Sequence, residues 1–208
     1  LAILAIAVAL LFHTSLITNY LIGWDIHGEF HVFKLTENAA YWNSTFSSLD
    51  DRIAVGYSML SVTILPTIYS KIANIDGTWL FKILYPLILS LVPLTFYKIY
   101  STRMKKEAAF LSAFFLMSSL TFFGTEGFPL KQMVGEFFYA LLFLVILKEN
   151  IGPFERSFFF VVFGAGLVVS HYSMSYIFMS FILLTWLWSA IRRSFSHGAK
   201  GNISIKLS

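Results

Sequence analysis

The sequence predicts an all-α protein that crosses a membrane several times, and three observations carry that prediction. Hydrophobic residues fill 57% of its 208 positions and charged residues only 12%, whereas soluble domains carry about a quarter charged residues. Mean hydropathy is +0.73. The apolar residues fall in long runs, and about 20 of them suffice to span a bilayer. Phe alone occurs 23 times, which suits lipid-facing and interhelical packing.

Six runs read as spans, at 1–22, 79–99, 108–123, 134–147, 158–169 and 176–191. The last two divide a stretch, 158–191, that is too long for one span at about 1.5 Å per residue. Polar Ser170-His171-Tyr172-Ser173 marks the division. A further apolar stretch, 53–75, carries Pro66, Lys71 and many Ser and Thr residues. It reads as an interfacial or re-entrant segment; the other reading, a true span, would move the preceding loop to the opposite face. Residues 23–75 are therefore expected to form an external loop with interfacial helices. Leu1 opens inside an apolar run and Ser208 closes without a terminal feature, as expected for a piece of a longer protein.

Charge sets the expected orientation. Lys98, Arg103, Lys105 and Lys106 fall on one side with Lys148, Arg156, Arg192 and Arg193. The opposite side receives Asp25, Glu29, Glu37, Asp50, Asp51, Asp76, Glu126 and His171. Basic loops face the cytoplasm, so the amino end is expected inside and the acidic loop outside a cell membrane. The net charge of +4 forms no single patch, which argues against a nucleic-acid partner. The absence of cysteine excludes disulfides and thiolate metal sites. Asn43-Ser44-Thr45 and Asn202-Ile203-Ser204 match the glycosylation sequon, a short pattern that chance also produces.

The residues able to do chemistry begin in Gly23-Trp24-Asp25-Ile26-His27-Gly28-Glu29-Phe30-His31. An extended backbone would turn Asp25, His27, Glu29 and His31 to one side. A helix would instead pair Asp25 with Glu29 and His27 with His31. Carboxylate and imidazole together can hold a divalent metal such as Mg²⁺ or Mn²⁺, with Asp25, His27 and Glu29 as candidate ligands. A single carboxylate can serve as a general base. The plainer reading is a polar collar where a span leaves lipid. Beyond it, Val32, Leu35, Ala39 and Trp42 recur at spacings of three and four, which predicts an amphipathic helix on the membrane surface.

Further along, Glu126 closes the third span, and Lys131, Gln132 and Glu136 open the fourth. An acid entering a span is costly unless it pairs or works. Lys131 could neutralise a phosphate or simply snorkel at the interface. His171 occupies the turn between the fifth and sixth spans, where a structural role is the commoner one. The orientation drawn from Lys and Arg alone brings these acids and His171 to one face.

These residues resemble a known pattern. The run from Gly23 to Phe30 after a first span resembles the first external loop of GT-C type membrane glycosyltransferases. It is most similar to a mainly archaeal family of predicted membrane proteins in that superfamily. Leu60-Ser61-Val62-Thr63-Ile64-Leu65-Pro66 resembles the interfacial helix that follows that loop. Asp76-Gly77-Thr78-Trp79-Leu80-Phe81-Lys82 and Tyr85-Pro86 resemble the entry to its next span. Lys131-Gln132 with Glu136-Phe137-Phe138 resembles its basic-Gln…Glu-Leu-Phe-Phe pattern. The likeness covers most of 22–138.

The resemblance implies a GT-C like bundle that moves a sugar from a polyprenyl-phosphate donor to an acceptor, with inversion. It implies Asp25 as the base and Glu126 as a second acid, both catalytic. His27, Glu29, Lys131, Gln132, Glu136 and His171 are implied near the substrate. The partners would be the lipid-linked sugar donor, membrane lipid, and a glycan, lipid or protein acceptor. The chain departs from the pattern in having about half the spans of a full GT-C enzyme and no soluble acceptor-binding domain. A transporter or lipid flippase, and a non-catalytic assembly subunit, are the competing readings.

Overall fold

The computed structural model describes the backbone of residues 1–43, 51–124 and 129–204, and side chains at 1–43, 55–124 and 129–193. Glu126, Asp50 and Ser44-Thr45 of the first sequon fall outside the described residues. So do the side chains of Asp51 and of the second sequon. All the regular secondary structure among the described residues is helical, with no strand among them. They form two units, Leu1–Met174 and Ser175–Ser208.

The first unit is organised around α5 (Gly77–Tyr100), 24 residues long. Packed against it are α1 (Ala2–Ser15), α4 (Ile64–Ala73), α6 (Lys106–Met117) and α8 (Leu130–Leu147), while α9 (Pro153–Ser170) packs on α8. The short α7 (Leu120–Phe123) follows α6. Burial confirms the order: 56% of the apolar stretch of α5 is buried, 39% of α8, and 11% of α9. α5 is therefore the centre, and α9 presents its apolar side outward, as a lipid-facing helix does. The second unit holds most of α10 (Tyr172–Ser204), whose Tyr172–Arg193 portion is itself apolar.

Among the described residues, four helices are long and apolar enough to cross a membrane: Gly77–Tyr100, Leu130–Leu147, Pro153–Ser170 and Tyr172–Arg193. The break expected near Ser170 occurs at His171, whose extended backbone (φ −154°) separates α9 from α10. The first and third expected spans appear as shorter helices, of 14 and 12 residues. At about 1.5 Å per residue, the 12 residues of α6 fall short of a core of about 30 Å. α1 stops because the chain turns at 16–22, where the Lys82 ammonium donates to the carbonyls of Thr18 and Tyr20. α6 stops at Ser118-Ser119, whose hydroxyls bond locally, to Phe114 O and Thr121.

The ambiguous stretch after residue 50 forms two short helices, α3 (Asp51–Ser58) and α4. Neither has the length to span. Pro66 lies in the first turn of α4, where a missing N–H costs nothing. α5 begins on an N-cap, with Asp76 Oδ1 accepting from the Thr78 N–H at 2.8 Å, an arrangement worth about 1 kcal/mol. It then continues unbroken through Pro86 and Pro93.

The amphipathic helix also differs from its expected frame. α2 runs Asp25–Ala39 and buries Ile26, Glu29, Val32, Phe33 and Thr36. It ends where Ala40 turns left-handed at φ 56°, so Trp42 lies beyond it and donates its indole N–H to Tyr57 O at 2.9 Å. Phe33 and Phe30 pack on Phe81 of α5 at ring separations of 5.3 and 5.2 Å. Gly77 makes this approach feasible, because a Cβ there would run into the Phe33 ring.

Contacts between loops sort the first unit into two ends. At one end, Thr14 Oγ1 donates to Phe123 O at 2.7 Å and the Leu60 N–H to Val169 O at 2.9 Å. Tyr85 OH donates to Ser61 O, and Ser61 Oγ to Ser170 O. At the other end, Arg103 and Arg156 donate to carbonyls at the close of α8. Asp25 and Glu29, at the start of α8, thus lie at the opposite end from Arg103 and Arg156.

Glycines set the α8–α9 spacing. A Cβ at Gly166 would come within 2.6 Å of the Phe138 ring, whereas one at Gly164 would meet nothing within 4 Å. Gly166→Leu is expected to destabilise the protein by about 1–3 kcal/mol through overpacking, and Gly164→Leu to leave stability within about 0.5 kcal/mol or raise it. Thermal unfolding of both variants in detergent checks this difference.

Candidate functional site

The polar end gathers side chains from three helices. Asp25 and Glu29 are one turn apart on α2, so the helical geometry holds and the extended one does not. His27 and His31 lie on the opposite, exposed face. The trio Asp25, His27 and Glu29 is therefore not brought together, and no group of three potential metal-binding side chains occurs among the described residues.

Glu29 reaches from α2 to the start of α8. Its Oε2 accepts from the Leu130 N–H at 2.6 Å. Its Oε1 stands 3.1 Å from Lys131 Nζ, an ion-pair distance without a well-aligned hydrogen bond. The first turn of a helix leaves N–H groups without helical partners and carries a partial positive charge, so a carboxylate is favoured there. Pro129, at the N-cap, supplies no side-chain acceptor. Glu29 provides the missing cap from another helix.

That position has a cost. Glu29 is 3% exposed, and burial pushes its carboxyl up to about 7, with the Lys131 charge and the Leu130 amide pulling it back. Asp25 is the reverse case. Its side chain is 64% exposed, with Oδ2 3.9 Å from the same ammonium. Lys131, 21% exposed, thus stands between one closed carboxylate and one open one. Among the described residues, the Lys131 ammonium holds the place between Asp25 and Glu29 that a divalent cation would take.

His171 joins from the end of α9. Its Cβ sits where a Cβ at Gly135 would come within 2.8 Å, so glycine admits the imidazole against α8 one turn beyond Lys131. Its Nδ1 accepts from the Met174 N–H at 3.2 Å. Burial and the nearby Lys131 charge hold its pKa below the usual histidine range. Gln132 and Glu136 pair with each other at 2.8 Å on a different face of α8. There Glu136 lines a separate cleft of about 280 Å³ with Tyr139, Phe96 and Ser119. The candidates thus divide into two groups, Asp25–Glu29–Lys131–His171 and Gln132–Glu136. Glu126 lies outside the described residues.

Two elements of this end were not among the candidate site residues, although Lys82 closes the run from Asp76 that carries the resemblance. Lys82, 3% exposed, holds the turn after α1 through two backbone carbonyls; an ammonium inside an apolar run was its trace in the sequence. The Leu130 amide, being backbone, leaves none. No protein-family model, curated protein or solved structure matches the chain.

The Glu29 carboxyl makes stability depend on pH with a definite sign. Its folded-state pKa lies above the ordinary value of 4.5, so between pH 4.5 and about 7 the folded protein holds a proton that the unfolded chain has lost. Its contribution is full below pH 4.5 and declines as pH rises through about 7. The stability difference between wild type and Glu29→Gln is expected to shift against wild type across that window. A difference constant with pH would contradict the buried, raised carboxyl. Glu29→Ala, which also strands the Leu130 amide, should cost a further 1–3 kcal/mol or so.

Proposed function

We propose that this chain forms the membrane part of a glycosyltransferase that takes a sugar from a polyprenyl-phosphate carrier on the outer face of a cell membrane. The resemblance of 23–30 and 131–138 to GT-C enzymes motivates the reaction. The observation that carries the reading is the contrast between the two acids of α2: Asp25 open beside Lys131, Glu29 closed beneath it. A base must reach an acceptor hydroxyl, and of these two acids Asp25 is the exposed one.

In this reaction the Asp25 carboxylate takes the acceptor's hydroxyl proton as that oxygen attacks the anomeric carbon. The bond from that carbon to the phosphate oxygen breaks with inversion, and the carrier phosphate leaves with the electron pair. Lys131 places a positive charge at the membrane surface, where the donor's phosphate must sit while its tail stays in lipid. Glu29 is a positioning residue, holding α2 against α8 so that Asp25 and Lys131 stay together. His171, packed on Gly135, borders the same region. His27, on the exposed face, is open to an acceptor. Glu126 is the second acid that the resemblance implies. No step runs through a metal.

A transporter reading calls for discontinuous helices around a midplane site, whereas α5 passes through both of its prolines unbroken. A purely structural role for Asp25 predicts lost abundance with activity retained.

In membranes containing the full-length protein, Asp25→Asn is expected to reduce sugar transfer at least about a hundredfold with abundance unchanged. Lys131→Gln should raise KM for the lipid-linked donor more than it lowers kcat. Normal turnover by Asp25→Asn would end the assignment of Asp25 as base.

A further inference from the structure

The basic end carries a cavity that the proposed transfer reaction does not use. It measures about 640 Å³ between the final turns of α5 and α8, a size typical of ligand sites. Leu94, Ile99, Leu144 and Leu147 make its walls apolar, and Lys98 and Lys148 stand in the lining with Glu149. Long basic side chains of this kind lay their stems along apolar surface and keep the ammonium at the polar rim.

The charge at this rim is unusual for the end of a helix. The last carbonyls of a helix present partial negative charge, which repels anions. Here those of α8 are covered. Arg156 donates to Val145 O at 3.1 Å, Ile146 O at 2.9 Å and Lys148 O at 2.7 Å, and Arg103 approaches Leu147 O at 3.5 Å. The end of α5 is covered as well, by Ser101 Oγ donating to Lys98 O and Thr102 Oγ1 to Ile99 O. Both guanidiniums are thus engaged with backbone, while the Lys98 and Lys148 ammoniums make no ion pair or hydrogen bond among the described residues. Against the one carboxylate of Glu149, the rim keeps a positive excess.

An apolar cavity at the end of membrane helices, rimmed by two ammoniums, matches a molecule with hydrocarbon below and a phosphate above. We infer that this cavity binds an anionic membrane phospholipid, with its acyl region against Leu94, Leu144 and Leu147 and its phosphate between Lys98 and Lys148. The site lies at the opposite end of the bundle from Asp25 and does not depend on the glycosyltransferase reading.

Native mass spectrometry of the detergent-purified full chain tests this directly. The probes are phosphatidylglycerol and phosphatidylcholine with identical acyl chains, with inorganic phosphate as competitor. Wild type is expected to retain phosphatidylglycerol more tightly than phosphatidylcholine. Lys98→Gln/Lys148→Gln should weaken phosphatidylglycerol retention roughly thirtyfold and leave phosphatidylcholine unchanged. Lys98→Arg/Lys148→Arg, which keeps both charges, should restore it, and an unchanged thermal midpoint shows that the Gln variant is folded. Equal retention of the two lipids by wild type would overturn the inference. So would wild-type retention by the Gln variant, or displacement by equimolar inorganic phosphate.

Discussion

The buried carboxylate of Glu29 under the first turn of α8 is the constraint on which the polar end depends. Its partner, the Leu130 amide, lies 101 residues away in sequence, so this contact closes a long excursion through α3 to α7. It also decides the roles of its neighbours. With Glu29 turned inward, the helical repeat places Asp25 one turn earlier at the margin of the bundle, and Lys131 next to Leu130 reaches both acids. The raised pKa shows that burial outweighs what the ammonium and the amide return. Removing one partner of a buried ion pair is far more damaging than the pair's net contribution suggests. The contact serves position more than stability.

Close approach of small residues does the remaining positioning. Gly77 lets the Phe33 ring of α2 settle on the start of α5, Gly135 admits His171 against α8, and Gly166 admits Phe138 against α9. Without a strong hydrophobic drive between helices in lipid, such packing carries much of the association energy. The same arrangement keeps the two ends chemically distinct. One holds open and closed acids around a single lysine; the other holds arginines on helix carbonyls and lysines over an apolar cavity.

Composition and apolar runs were enough to read a helical membrane protein, and four of the six expected spans correspond to long apolar helices. In the first of the other two, the helix ends before its apolar run does, for a physical reason. Leu16, Ile17, Leu21 and Ile22 continue the hydrophobicity of α1, but Lys82 draws the carbonyls of Thr18 and Tyr20 into a turn, and a partner more than 60 residues away leaves no local trace. The break at His171 was legible because polar residues interrupt an overlong run. On α2 the acids' i, i+4 pairing was one of two readable geometries. Which acid is buried was not, since that depends on where α8 begins. Lys131 and Glu136, five residues apart, point about 140° from each other on a 3.6-residue helix, so their separation into two groups was available once the helix was assumed.

Everything proposed for Asp25 requires the polar end to face outward and the basic end inward. The absence of cysteine allows single labels to be placed at Asn38, exposed on α2, and at Met104, exposed beyond α5. Intact cells carrying Asn38→Cys or Met104→Cys in this 208-residue chain would be treated with a membrane-impermeant maleimide. Labelling of the Asn38 variant, with the Met104 variant protected until the membrane is permeabilised, is the expected result. Protection of the Asn38 variant with labelling of the Met104 variant would put Asp25 and Lys131 on the cytoplasmic face and contradict the proposed outward-facing transfer.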